Sequence, residues 1–253
     1  DRIQPTMDED NLEESPEFKA FKQRAASPQA APYTVGDTLR LYRIAVAATG
    51  EFAQTYGGGT VSGTVAAIVT RLNQVNAAYE RDLAVRLILI AESEQVIYLN
   101  GATDPYTNNN LDAMLSENPT NLNSVIGADK FDIGHVFAES GGGGKAQLGS
   151  VCGSGKAVGA SGSGADFYIL AHELGHQFGA GHVQNTNNTT CNRAATSAWE
   201  PGSGVTIMSY NGVCDSLGPS TQNFNVGSFQ QMMSFIEDGN GGSCGYALDT
   251  DNT

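Results

Sequence analysis

The chain has 253 residues, 40% of them apolar and 16% charged, which is enough to bury a sizeable core in one domain and too short for two large ones. Its 27 acids against 13 bases leave a formal charge of -14, which argues against a nucleic-acid partner or an anionic membrane surface. The longest strongly apolar run, Leu83 to Ala91, holds Arg86 and is too short to cross a bilayer. The chain opens on Asp1 with no charged n-region and apolar stretch behind it, so any signal peptide is expected to be gone already. Four cysteines in an acidic, Gly- and Asn-rich chain fit an exported protein with two disulfides. A secreted, soluble monomer is expected.

Residues 1–34 differ in composition from the rest. Asp8, Glu9, Asp10, Glu13, Glu14 and Glu17 cluster there among Pro5, Pro16, Pro28 and Pro32, with too little apolar surface to fold alone. They read as an N-terminal arm or propeptide remnant, with a short helix around Glu17 to Ala25; an ordinary first helix of the domain is the alternative. Residues 35 to 253 read as one domain, a more regular part (35–182) followed by a loop-rich one (183–253).

Leu39 to Ala48 reads as a strand, and Ser62 to Asp82 as a long helix whose stripe is Val65, Ile68, Val69, Leu72, Val75 and Tyr79. Val85 to Ile90 and Gln95 to Leu99 read as two further strands, and 101–110 (GATDPYTNNN) as a loop. A helix is expected near Thr120 to Ile126, then a strand over Asp132 to Ala138. Strands alternating with helices predict a mixed, largely parallel sheet. After residue 183 one more helix is expected near Ser228 to Asp238, where Ser228 and Gln231 have capping-box spacing.

The segment His172-Glu173-Leu174-Gly175-His176-Gln177-Phe178-Gly179-Ala180-Gly181-His182 carries the chemistry. Two histidines four apart project from one helix face and can hold one Zn²⁺ between them. Glu173 lies beside the first of them and can reach a water on the metal without ligating it. Gly179 can take the left-handed conformation that ends a helix, after which the chain doubles back and delivers His182 as third ligand. Three protein ligands leave zinc an open position, the mark of a catalytic site. Three of the four histidines fall at these positions; the fourth, His135, lies in a strand-like stretch and reads as structural.

These residues resemble the metzincin pattern HExxHxxGxxH, and Ile207-Met208-Ser209-Tyr210 looks like the Met-turn of that group. Gly144 to Cys152 is similar to the edge strand and following cysteine of the reprolysin, or adamalysin-type, branch. The resemblance covers about residues 39 to 245. It implies an α+β fold of metzincin type: a twisted, mostly parallel sheet with long helices, the zinc helix at the cleft floor and a smaller C-terminal subdomain. Two departures stand out. Val183 follows the third histidine where reprolysins usually have Asp, and Tyr210 takes a place it has in serralysins and astacins. The glycine-rich stretch at 239–245 is not a calcium repeat of the serralysin kind, and the chain looks most like bacterial reprolysin-like peptidases.

The resemblance implies a zinc endopeptidase with Glu173 as general base and Met208 as a hydrophobic floor beneath the metal. Tyr210 is a candidate second stabiliser of the oxyanion or a displaceable fifth ligand; a hydroxyl packed under the Met-turn is the plainer alternative. Gly143, Gly144 and Ala146 would pair with substrate backbone as an added strand, unless the run Gly141 to Gly144 is only a surface hairpin. Four cysteines allow three pairings. The resemblance implies Cys152–Cys244, and Cys191–Cys214 is expected beside it, closing a loop around the Met-turn. Asp104, Asn108, Asn109 and Asn110 offer oxygens for a structural Ca²⁺, although Asx-rich loops are more often turns. The competing classes are a catalytically silent metzincin used as a binding module, against which the intact Glu173 argues, and a zinc hydrolase of a non-peptide bond. No cysteine precedes Cys152, so a cysteine switch cannot lie in the arm.

Overall fold

The computed structural model describes residues 38–249 together with Lys19; the expected arm and its helix near Glu17 to Ala25 otherwise lie outside the described residues. Strand β1 (Thr38–Ala48) runs through the middle of the molecule. Tyr42, Ile44, Val46 and Ala48 point into one core while Ala45 and Ala47 point into another, the two-sided burial of a central parallel strand. β2 (Val85–Leu89) and β3 (Ile133–Phe137) lie parallel to it on either side. Beyond β3 come β5 (Gly159–Ser161), parallel, and β4 (Gly144–Ala146), antiparallel, giving the order β2-β1-β3-β5-β4. β8 (Tyr246–Asp249) pairs antiparallel with the start of β1, on the β3 side, because Arg40 and Leu41 already use their other edge on β2.

Helices cover both faces. On the first lie α1 (Gly50–Tyr56), α2 (Val61–Leu83), α4 (Phe167–Gln177) and α5 (Val226–Glu237), which contribute Phe52, Leu72, Leu174 and Met232 to one continuous core. On the second, α3 (Leu111–Val125) packs Met114 and Leu122 against Ala45, Val136 and Phe131. The sheet is mixed and mostly parallel, as the alternation of strand and helix patterns predicts.

Several local expectations need correction. In α2, Ile68, Leu72, Val75 and Tyr79 are buried, but Val69 is 38% exposed: it lies one step round the helix from Ile68 and off the stripe. Gln95 to Leu99 is not a strand. Ala91–Val96 is a 3-10 helix, after which Ile97 makes a single bridge to Ala48. Helix α3 begins at Leu111, not near Thr120, because the Asn110 side chain accepts from Ala113 N–H and caps it. Pro119 sits inside that helix, where the missing N–H hides the helical pattern from a sequence reader. Helix α5 is capped by Asn225, which accepts from Gly227 N–H, and Ser228 is buried inside the first turn instead of forming a capping box. β5 and β8 lie in stretches that carry no strand pattern of their own.

Candidate metal centre

Asp166 starts the helix that carries the motif: its side chain accepts from the N–H groups of Tyr168 and Ile169. Leu170, Ala171 and Leu174 are fully buried and anchor α4 in the core, which leaves His172 and His176 on one shared face. The helix ends in a Schellman arrangement. Gly179, at φ 94°, donates to His176 O, and Ala180 donates to Gly175 O. That left-handed residue reverses the chain and returns His182 to the helix face.

The side-chain nitrogens of His172, His176 and His182 lie within 4.8 Å of one another, and all three residues are buried. Among the described residues this is the one group of three or more His, Cys, Asp or Glu placed to hold a metal ion. Each histidine is held from outside the cluster. His172 Nδ1 donates to Ile207 O at 2.8 Å, and His176 Nδ1 donates to Ala180 O at 2.7 Å. Around His182, Ser197 Oγ donates to its carbonyl at 2.5 Å and Gly181 N–H donates to Gln231 Oε1 at 2.8 Å. With the proton at Nδ1, a neutral imidazole presents its lone pair at Nε2.

His176 Nε2 stands 3.0 Å from His182 Nε2. Two nitrogens bound to one tetrahedral zinc at about 2.0–2.1 Å each would be about 3.3 Å apart, so the spacing suits a shared cation. Burial, followed by the neighbouring His182 and His172, holds the His176 imidazole well below its ordinary range. It is therefore neutral at pH 7, as a ligand must be. The donor set, three buried imidazoles of which His172 and His176 sit on fixed backbone acceptors, fits Zn²⁺ and leaves a fourth position for water.

Residues 38–234 match the family model described as metallo-peptidase family M12B, reprolysin-like. The chain belongs to this family. No curated protein matches the sequence. Among solved structures, mirolysin of Tannerella forsythia in complex with a cleaved peptide is similar at a TM-score of 0.46 and 11% identity, over 83% of this chain and 93% of that one. A chaperone–substrate complex is similar at a TM-score of 0.44 and 15% identity, over 79% of this chain. The chain spans 34% of that second structure's length.

The other candidate residues take the following places. Glu173, buried at 2% exposure, lies on α4 next to His172. Met208 is fully buried under the same helix: a Cβ on Gly175 would stand 2.5 Å from its Sδ. Its turn is closed by Ser209 N–H donating to Thr206 O. The Tyr210 ring lies 4.3 Å from the His182 ring and 6.1 Å from that of His172, centroid to centroid.

Gly141, Gly142 and Gly143 all have positive φ and lead into β4, where Gly144 pairs with Ser161 and Ala146 with Gly159. β4 ends the sheet order, so among the described residues one of its edges has no strand partner. A Cβ on Gly144 would stand 2.3 Å from Glu173 Cγ, which puts that edge directly over the helix.

Disulfides join Cys152 to Cys244 and Cys191 to Cys214. The first ties the region after β4 to the segment after α5, and the second closes a loop that includes the Met-turn. The Asx-rich loop has local roles. Asp104 accepts from Gly50 and Tyr106 N–H groups, Asn108 accepts from Ser140 Oγ, and Asn110 caps α3.

His135 stands apart from the cluster. It donates from Nδ1 to Gln177 Oε1 and accepts at Nε2 from Ser161 Oγ, both at 2.9 Å. Gln177 donates its amide to the carbonyls of Gly134 and Lys156, which fixes this assignment. Burial pushes the His135 imidazole down to about 4.

Sequence reasoning missed Glu200. It is 6% exposed, and its carboxylate accepts from Val205 N–H at 2.6 Å, Thr206 N–H at 3.2 Å and the Thr206 hydroxyl. No motif marks an acid in a loop as a turn-builder.

Proposed function

We propose that this chain is a secreted zinc endopeptidase that cleaves extended peptide segments of proteins. The observation that carries the reading is the convergence of three buried imidazoles on a helix whose neighbouring carboxylate, Glu173, faces an open sheet edge. His172, His176 and His182 would hold the zinc. When bound there, it supplies a Lewis acid that lowers the pKa of water to about 7 and polarises a carbonyl.

The chain's own residues divide the remaining work. Glu173 takes a proton from the attacking water and returns it to the leaving amine. Its burial beside Gly144 shields that transfer from bulk solvent. The free edge of β4, at Gly143, Gly144 and Ala146, aligns substrate backbone as an added strand. Tyr210 stabilises the developing oxyanion from beside His182. Met208 supplies the apolar floor. We assign the described residues up to 182 to the upper wall of the cleft and those from 183 through α5 to the lower, with β8 returning to the sheet beside β1. Two disulfides support an exported protein, and no described helix is long and apolar enough to cross a membrane.

Casein hydrolysis with and without a zinc chelator tests the reading. Chelator-sensitive cleavage that returns with zinc supports it. Zinc binding without cleavage of any protein substrate would favour a silent binding module. Cleavage confined to non-peptide bonds would favour a different hydrolase.

A further inference from the structure

Among the described residues after His182, one buried acid has no place in the chemistry above. Glu200 lies in β7 (Glu200–Pro201), which pairs with β6 (Gln184–Asn185), the segment just after His182. Its backbone N–H donates to Val183 O at 3.0 Å, and Val183 N–H donates to Met208 O at 3.1 Å. The backbone of Glu200 is therefore tied to the residue that follows the third histidine.

Its side chain reaches the other way. The carboxylate accepts from Val205 N–H, Thr206 N–H and the Thr206 hydroxyl, three donors on the two residues that precede Ile207. The Ile207 carbonyl is the acceptor that fixes His172 Nδ1 at 2.8 Å. Gly204 is confined by the same side chain: it has φ 75°, and a Cβ there would stand 2.7 Å from Glu200 Oε2.

We propose that Glu200 is a positioning residue for the metal centre, setting the angle and tautomer of His172 through the Val205–Ile207 backbone while anchoring the His182 strand. The physical argument is geometric. A carboxylate that takes several charge-assisted hydrogen bonds from adjacent donors fixes a loop far better than separate water contacts would. Partners beyond the ligands commonly alter metal affinity or activity by about 10- to 100-fold. Glu200 thus joins two segments that carry ligands, its backbone tied to the strand after His182 and its carboxylate to the turn that fixes His172. The expectation rests on the zinc reading above.

The test compares Glu200→Ala and Glu200→Gln with wild type in zinc titrations against a competing chelator, alongside the melting temperature of the metal-free proteins. Glu200→Ala is expected to weaken zinc binding by about tenfold or more. Glu200→Gln keeps an acceptor for the two N–H groups, and the Thr206 hydroxyl can turn to accept from the amide. It is expected to stay within about threefold of wild type. Loss of metal-free stability in Glu200→Ala with zinc affinity unchanged would overturn the proposal, as would a Gln variant no better than the Ala variant. If Glu200→Ala does not fold, Thr206→Val removes one donor to the same carboxylate. A measurable weakening of zinc binding there supports the proposal, and unchanged affinity contradicts it. Failure of wild type to bind zinc would instead sink the earlier reading.

Discussion

Gly144 lies against Glu173 so closely that a methyl group would stand 2.3 Å from Cγ and 2.7 Å from Cδ of the acid. The edge strand and the carboxylate that is to move the proton are thus fitted to each other, and only a residue without a side chain suits the position. Gly144→Ala must push Glu173 aside. A shift of about 1 Å in a reacting group costs up to about 100-fold in rate. We expect kcat on a peptide substrate to fall by at least about tenfold, with zinc content unchanged, because no ligand moves. Full activity in this variant would show that the contact does not position the acid.

The contact between Gly175 and Met208 predicts a different effect. Met208 is fully buried, so a methyl 2.5 Å from its sulfur must push that side chain into its core neighbours. Overpacking of this kind costs about 1–3 kcal/mol. Gly175→Ala should lower the melting temperature by about 2–4 °C per kcal/mol lost. An unchanged melting temperature would mean that the Met-turn gives way easily.

The disulfides should differ in their stabilising effect. In the chain-entropy model the 92-residue separation of Cys152–Cys244 is worth about 4.6 kcal/mol, and the 23-residue separation of Cys191–Cys214 about 3.4 kcal/mol. Paired Cys→Ser substitutions, followed by denaturant unfolding, read the order. A greater loss from the Cys191–Cys214 pair would point to strain or packing in place of chain entropy.

His135 gives the fold a pH dependence with a defined sign. Its folded value, about 4, is below its unfolded value, so between those two the unfolded chain binds more protons. Its contribution is complete above the unfolded value, falls as pH drops through about 6.5 to 4, and levels off below that. The full effect is about 3 kcal/mol. His135→Gln should flatten this slope relative to wild type when both are measured free of metal. The rest of the chain is the same in both proteins, so its contribution cancels. Identical slopes would show that His135 is not the group responsible.

The parts of this fold that were legible in the sequence are those with strong local patterns. The β1 run, the α2 stripe and the spacing of His172, His176, Gly179 and His182 each follow from a single periodicity or from one residue's backbone freedom. What was not legible depends on distant partners. β5 is three residues, Gly159–Ser161, that become a strand only because β3 and β4 flank them. Helix α3 carries Pro119 in its middle and is kept by an Asn110 cap and by burial of Met114 and Leu122. Glu200 could not be found because two of its three donors are backbone N–H groups, which have no sequence signature, and nothing in the sequence pairs it with the Thr206 hydroxyl.

In the proposed mechanism Glu173 moves protons and does not hold the metal. Its most direct test is Glu173→Gln, assayed for zinc content and for casein hydrolysis under the same conditions as wild type. One bound zinc per chain is expected, with a loss of hydrolysis of about 100-fold or more, the usual contribution of general acid–base catalysis. Proteolysis at the wild-type rate with zinc retained would contradict it.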